Sequence, residues 1–375
     1  MLKKLSLAAL IAMGSMSVAS ATPLTEAIKG VDLSGMIRVR FYNENNDKKG
    51  ENSSFNRWRT SADFKFTIPV SEELKVVYKL GVESNVYSTD DKLDEGNSTV
   101  DASVNENLVY LNYSANGLNV IAGKIPVATS VTGSGHGEAH GAGVIGSYKI
   151  NDQLTLAAAW VDAVTKVDVD TNGSDIYAVA AIFNVENMVK GNVWYYHITN
   201  FVKSLYTISL DVKPVDMVSL HADYASGKAD EKGADTHTYF NISAKGSFDA
   251  ACLKVGYAKT NSKDGAVVLD NDAPISAVLP TAQKNNIIAN MTDTSSVYAK
   301  AKYNVNKDTD VYVAYANINQ KKKAGDEDYS EVVFGGSYKY TKKMKFSAYY
   351  SILDGKHAAK KQDNNEFRFE AKYSF

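Results

Sequence analysis

The sequence predicts an all-β protein, a transmembrane antiparallel up-and-down barrel of about 18 strands, with about 16 as the alternative count. Three observations predict it. Segments of roughly ten residues with strict period-two alternation recur along the whole chain. The connections between them alternate between short turns and long polar stretches. Aromatic residues sort to the two ends of the segments.

The chain opens with "MLKKLSLAALIAMGSMSVASATP", in which Lys3 and Lys4 precede an apolar stretch and Ala19-Ser20-Ala21. This is the pattern of a secretory signal peptide cleaved after Ala21, leaving residues 22–375 as one barrel domain. Beyond it no apolar run approaches the ~18–20 residues of a membrane helix. The single cysteine, Cys252, cannot form an intrachain disulfide. The formal net charge is −2 and basic residues are not clustered, which excludes nucleic acid as the partner class.

The first segments are Val31/Leu33/Ile37/Val39/Phe41, Trp58/Thr60/Ala62/Phe64/Phe66 and Leu74/Val76/Tyr78/Leu80/Val82 on their apolar parity. Each has a polar partner parity, such as Arg57, Arg59, Ser61, Asp63 and Lys65. Later segments follow the same rule, among them Leu154–Trp160, Val218–Tyr224, Ala251–Tyr257, Val311–Tyr315 and Phe346–Ile352. The stretch "NMVKGNVWYYHITNF" supports either phase. The chain closes on "NNEFRFEAKYSF", where Phe367, Phe369, Ala371, Tyr373 and Phe375 share one face.

Short connections carry turn residues: Pro69–Glu73, "SANG" at 114–117, Asn151-Asp152, "KPVD" at 213–216, and Thr341–Lys343. Long ones occupy 43–54, 85–103, 126–142, 162–174, 226–236, 261–294, 317–328 and 353–365, with a weak one near 199–202. In an up-and-down sheet this places all tight turns at one end and all long loops at the other, an asymmetry of outer-membrane barrels that a soluble sandwich does not share. Phe41, Trp160, Tyr224, Tyr257, Tyr315 and Tyr350 fall toward the long loops. Phe66, Tyr113, Tyr148, Tyr303, Tyr338 and Tyr373 fall toward the turns, so two aromatic girdles are expected at two interfaces. Lipid is the partner of that outer surface. The last strand must close against the first, because an open edge in hydrocarbon leaves backbone groups unsatisfied.

"TPLTEAIKGVDLSG" (22–35), "VIAGK" (120–124), "LTLAAAWVD" (154–162), "KFSAYYS" (345–351) and the terminal "YSF" together resemble the Campylobacter-type major outer membrane porins. The similarity is strongest at the two ends. The resemblance implies an 18-stranded barrel (about 18, as counted above), a homotrimer, and passive diffusion of ions and small hydrophilic solutes with a cation preference. It also makes Tyr373 and Phe375 an assembly signal read by the barrel-assembly machinery. An adhesive or structural role for the loops is the alternative function.

Candidate site residues follow from the barrel. Arg38, Arg40, Arg57 and Arg59 share the inward parity of neighbouring strands and should form a ladder on one wall, with Asp32, Asp63 or Glu106 as charge partners. Glu106 is itself expected to line the pore. The third long connection, "PVATSVTGSGHGEAHGAG", is glycine-rich and carries His136, Glu138 and His140, so it is the candidate constriction loop. A zinc site there is disfavoured, because Glu138 does not stand where H-E-x-x-H requires its glutamate and the glycines argue against a rigid site. Titration of His136 and His140 would add positive charge at the constriction as pH falls. "DVDTNGSD" matches half of a calcium loop through Asp168, Asp170 and Asn172, but Val179 stands where the bidentate glutamate is required. No cofactor is expected beyond weak calcium binding.

An enzyme is not expected. The best triad-like cluster is Ser219, His221 and Asp223 on one strand, and its i, i+2 spacing of about 7 Å argues against mutual hydrogen bonding. A ligand-plugged transporter is not expected either, because no plug domain is read ahead of the first strand. The acidic long loops (Asp90, Asp91, Asp94, Asp264, Asp270, Asp272) favour cations and the arginine ladder opposes them, giving a weak cation preference.

Overall fold

The computed structural model describes residues 30–48, 51–89, 101–133, 138–171, 173–186, 188–270, 272–275, 279–283, 288–322, 325–357 and 360–375. The proposed signal peptide, residues 1–21, lies outside them. Eighteen strands run in chain order: β1 Asp32–Lys48, β2 Glu51–Pro69, β3 Leu74–Thr89, β4 Asp101–Ala115, β5 Leu118–Pro126 and β6 His140–Asn151. They continue with β7 Leu154–Thr165, β8 Ile176–Val185, β9 Val189–Ile198, β10 Val202–Val215, β11 Val218–Ala229 and β12 Thr236–Phe248. The last six are β13 Ala251–Thr260, β14 Thr294–Asn304, β15 Thr309–Gln320, β16 Glu327–Lys339, β17 Met344–His357 and β18 Lys360–Ser374.

Every strand pairs antiparallel with its neighbours in sequence, and β1 pairs with both β2 and β18, so the sheet closes into a barrel. Closure removes the edges that hydrocarbon would not tolerate. No helix among the described residues is long and apolar enough to cross a membrane, so the crossing is made by strands.

The outer surface is apolar around the ring. Ile37, Trp58, Trp160, Tyr224, Val255 and Phe334 are each about half exposed on it. Trp160, Tyr224, Tyr315 and Tyr350 are exposed toward the loop end, and Tyr148, Tyr303, Tyr338 and Tyr373 toward the turn end, as two girdles require. The β4–β5 turn has Asn116 and Gly117 at φ 49° and 81°, the left-handed pair of a two-residue hairpin.

Three of the expected long loops are mostly strand. β1 and β2 remain in register to Lys48 and Glu51, β15 and β16 to Gln320 and Glu327, and β17 and β18 to His357 and Lys360. These extensions are rich in Asn, Asp and Lys. Without an apolar parity they show no alternation, yet their backbone groups still pair across the ladder. At 199–201 the connection is a tight turn, with Phe201 N donating to Ile198 O at 3.1 Å.

Part of the lumen is filled. The described residues of the β5–β6 connection and of the segment 261–293 turn inward and pack against the inner faces of β7–β15. Val127, Val131, Val267, Leu269, Ile275 and Ile288 share one buried cluster with Ile176, Trp194, Tyr196, Leu205, Tyr239 and Ile318 of the wall. This explains the ambiguous phase of β9 and β10: Val193 and Tyr206 face outward, while Tyr196 and Leu205 face this inner core. Both faces there are apolar, so period two has nothing to report.

Candidate pore and constriction

The wall of β17, β18, β1, β2 and β3 differs from the filled side, because its inner face is charged. Alternation on β1 turns Met36, Arg38, Arg40, Tyr42 and Glu44 inward. On β2 it turns Arg57, Arg59, Ser61 and Asp63 inward, with Arg40 opposite Arg59 and Tyr42 opposite Arg57. The ladder expected from the sequence therefore exists. Its partners are other residues than those expected.

Arg40 is bridged by Glu370 of β18, Arg59 by Glu83 of β3, and Arg57 Nη2 lies 3.4 Å from Glu44 Oε1. Arg38 is 8% exposed and donates through Nε to Ser61 Oγ at 3.2 Å. The Arg57 guanidinium stands 4.2 Å from the Tyr42 ring centroid, and Arg368 stands 4.6 Å from that of Tyr349. Such stacking suits the planar guanidinium and holds it flat against the wall. Glu44, Asp63, Glu83, Glu138, Glu366 and Glu370 stand among the four ladder arginines, Arg368 and Lys79. The wall carries charges of both signs along its length.

The third connection reaches this wall. Glu138 Oε1 accepts from Lys79 Nζ at 2.7 Å, and Lys79 also lies 3.5 Å from Asp63 Oδ2. These groups border a cavity of about 340 Å³ that also includes Met36, Lys65, Tyr110 and Lys372. Val127 N to Ala139 O at 2.8 Å closes the base of the loop. His136 lies outside the described residues. His140 is buried, with Nδ1 3.0 Å from the Glu138 carbonyl, so its ring packs against the loop base.

Residues 261–293, which the sequence offered only as a long polar loop, form a second inward element. Leu269 N donates to Val131 O at 2.8 Å, and Gly133 N donates to Asp270 Oδ2 at 2.9 Å, which joins the two loops. Ser130 Oγ lies 2.8 Å from Tyr196 OH and 2.6 Å from Thr207 Oγ1, which fixes the third connection to the wall. His237 is fully buried between the two roots of the long loop, 2.6 Å from Lys263 O and 2.7 Å from Ala289 O. Farther along, the loop crosses to β16–β18. Ala282 N and Gln283 N donate to Glu331 Oε1 at 2.7 and 2.9 Å, and Gln283 Nε2 donates to Ser351 Oγ at 2.9 Å. Ser351 Oγ in turn donates to Glu331 Oε1 at 2.7 Å. Apolar residues clustered in a nominal loop (Val267, Val268, Leu269, Ile275) were the available signal, since a solvated loop does not need them.

Two expectations need correction. Glu106 does not line the pore. The β3–β4 register shifts between Lys79/Leu108 and Leu80/Glu106, so a bulge at Asn107 turns Glu106 onto the outer parity of Leu80. It lies 3.8 Å from Lys124 Nζ there. The His221 cluster is also closer than its spacing suggested. His221 Nε2 is 2.7 Å from Asp223 Oδ2 and Nδ1 is 2.8 Å from Asp211 Oδ1. Side chains converge over a backbone spacing that alone keeps them apart. Ser219 is not part of the group; Ser209 Oγ donates to Asp223 Oδ1 at 2.8 Å instead.

Asp168 and Asp170 lie in the β7–β8 connection, where Asp168 N and Val169 N both donate to Leu269 O at 3.0 Å. Asn172 is outside the described residues. Among the described residues no group of three or more His, Cys, Asp or Glu side chains is placed to hold a metal ion. Asp270 sits at the loop junction, and its burial pushes its carboxyl above the usual range, with the nearby Asp168 and Asp272 charges adding to the effect. Phe375 completes the seam. Gly35 N donates to Phe375 O at 3.0 Å, Phe375 N donates to Gly35 O at 3.1 Å, and the Phe375 ring lies 5.9 Å from that of Phe64.

Residues 1–174 match the family model described as Campylobacter major outer membrane protein. No curated protein matches the chain. Among solved structures, the chain is similar to Acinetobacter baumannii OccAB4, with a TM-score of 0.70 at 12% identity over 92% of this chain and 98% of that one. Pseudomonas aeruginosa OpdQ gives 0.70 at 14% identity, covering 92% and 99%, and Pseudomonas aeruginosa OccK5 (OpdH) gives 0.68 at 11%, covering 92% and 98%. At these identities the likeness shows the fold. The closed 18-stranded barrel and the family match over residues 1–174 bear out the resemblance read in the sequence: the chain is similar to the Campylobacter major outer membrane protein over its first 174 residues and has the fold of outer-membrane porins.

Proposed function

We propose that ions and small hydrophilic solutes pass along the charged wall of β17, β18 and β1–β3, while the two inward loops occupy the rest of the lumen. The observation that carries this reading is the contrast between a wall of paired charges and an opposite wall whose loop-end part is packed with buried apolar side chains beneath two loops. Arg38, Arg40, Arg57, Arg59 and Glu138 are its constriction residues. Charges of both signs across a narrow opening orient dipolar solutes.

Because the wall carries charges of both signs, the loops are the second determinant of selectivity. Asp168, Asp170, Asp264, Asp270 and Asp272 lie in the connections at the loop end, which supports a weak cation preference. Reversal potential in a planar bilayer under a KCl gradient tests it. A cation-side potential that shrinks at high salt supports the reading, and an anion-side potential overturns it.

The protein assembles as a homotrimer, with Tyr373 and Phe375 serving the barrel-assembly machinery. The seam contacts of Phe375 support a role in closure as well. Deleting Phe375 should lower the yield of folded, trypsin-resistant barrel. Weak calcium binding through Asp168 and Asp170 is a separate proposal. Heat on titration at millimolar calcium supports it, and no heat removes it.

A further inference from the structure

The outer face of the barrel is not uniform. Toward the loop end, β2 carries Trp58, β7 Trp160, β8 Tyr177, β11 Tyr224 and β15 Tyr315, all exposed at the level where an aromatic girdle belongs. On β4, β5 and β6 the girdle is interrupted. Their outward residues at that level are Val104 and Glu106, then Ala122 and Lys124, then Ala142 and Val144.

Two features of this face fit lipid poorly. The Lys124–Glu106 ion pair, at 3.8 Å, sits on the outer parity of strands whose other outward residues are apolar. Side-chain exposures of 36% and 52% leave it open among the described residues. Charged groups on a lipid-facing strand are destabilising, most of all toward the bilayer midplane. Val104, beside it, is 69% exposed, more than any other large apolar side chain among the described residues. Here too the wall is lowest, since β5 (Leu118–Pro126) is the shortest strand.

Small residues and a both-sign charge pair suit a protein partner. Ala142, exposed on this face, lets another backbone approach closely, as membrane interfaces with small residues do. A face carrying both a cation and an anion is complementary to a rotated copy of itself, which is what closed symmetric assembly needs. We infer that the outer face of β4–β6 around Glu106, Lys124 and Ala142 is the surface where a second copy of this chain docks. The inference rests on the homo-oligomer reading above and assigns it a place on the barrel.

Photocrosslinking of the full-length porin in native outer membranes tests it. p-Benzoylphenylalanine at the position of Val104 or Ala142 should capture a second porin chain, giving covalent multimers on a denaturing gel. The same group at the position of Val255 or Val297, on the far wall, should give none. Lys124→Glu, which sets two carboxylates side by side, should lose the heat-labile oligomer band of unboiled samples while the monomer stays trypsin-resistant. Lys124→Glu with Glu106→Lys should restore the band. Capture of lipopolysaccharide alone from Val104 and Ala142 would overturn the inference in favour of a lipid-facing surface. Multimers captured only from Val255 or Val297 would keep the oligomer and overturn this face. A wild-type protein that is monomeric would overturn the oligomer reading itself.

Discussion

The two sides of the lumen are lined by different strands of one sheet and solve opposite problems. On the side of β1–β3, β17 and β18, inward residues are Arg, Glu, Asp and Tyr, held by ion pairs such as Arg40–Glu370 and Arg59–Glu83. On the side of β7–β15, inward residues such as Tyr196, Leu205, Tyr239 and Ala258 are buried beneath two loops. A barrel of this size would otherwise enclose a wide aqueous channel. The comparison teaches that the pore is narrowed by assigning part of the wall to a core, with the solute path left along the rest.

The strongest way to break the comparison is to remove the larger loop. Excising residues 264–286 and joining the ends with a short glycine linker should raise single-channel conductance several-fold and admit larger sugars in liposome swelling. Unchanged conductance would mean that the loop fills no part of the ion path. A smaller effect should come from the anchor. Glu331→Ala removes the acceptor for Ala282 N, Gln283 N and Ser351 Oγ. At about 1–3 kcal/mol for buried polar groups left unsatisfied, the loop should open transiently. The expected record is flickering conductance with the barrel's heat stability nearly intact; a steady wild-type trace would contradict it.

On the charged side, Arg40→Gln with Arg59→Gln leaves Glu370 and Glu83 without their guanidiniums. The wall gains net negative charge, so the reversal potential should move toward stronger cation preference, most visibly at low salt. The same pair of substitutions on a wall that solutes do not touch would leave the potential where it was.

The smallest expected effect concerns the loop junction at Asp270. Its folded-state carboxyl holds a proton to higher pH than an unfolded one, so its contribution to the junction is present at low pH. That contribution is lost as pH rises through the folded value, when the charge meets Asp168 and Asp272. Asp270→Asn keeps the acceptor for Gly133 N and removes the charge. Channel noise should fall in this variant at neutral pH and match the parent under acid conditions. His140 is not expected to govern that response, because its ring is buried at the loop base.

Most of the strands were legible because lipid outside and water inside give period two its contrast. It failed where that contrast failed. Residues 189–202 face lipid on one side and an apolar core on the other, and the tips of β1, β2, β17 and β18 are polar on both sides. The arginine ladder was legible because parity alone places it. Its partners were not, since Glu370 and Glu83 meet Arg40 and Arg59 only through barrel closure and register. Glu106 was misplaced by one bulged residue, which period-two reading has no means to detect. The third loop announced itself by glycine, whereas the long loop's role depends on contacts such as Leu269–Val131 that link distant parts of the chain.

Side-specific cysteine modification tests the two-sided lumen most directly. In a Cys252→Ser background, Arg59→Cys places a thiol on the charged wall, and Thr207→Cys places one where Thr207 is fully buried against Ser130. A charged methanethiosulfonate reagent added to open channels in a planar bilayer should change the conductance of the Arg59→Cys channel within the recording. The Thr207→Cys channel should not respond. Rapid modification at Thr207 with no effect at Arg59 would place the solute path on the opposite wall and contradict the account.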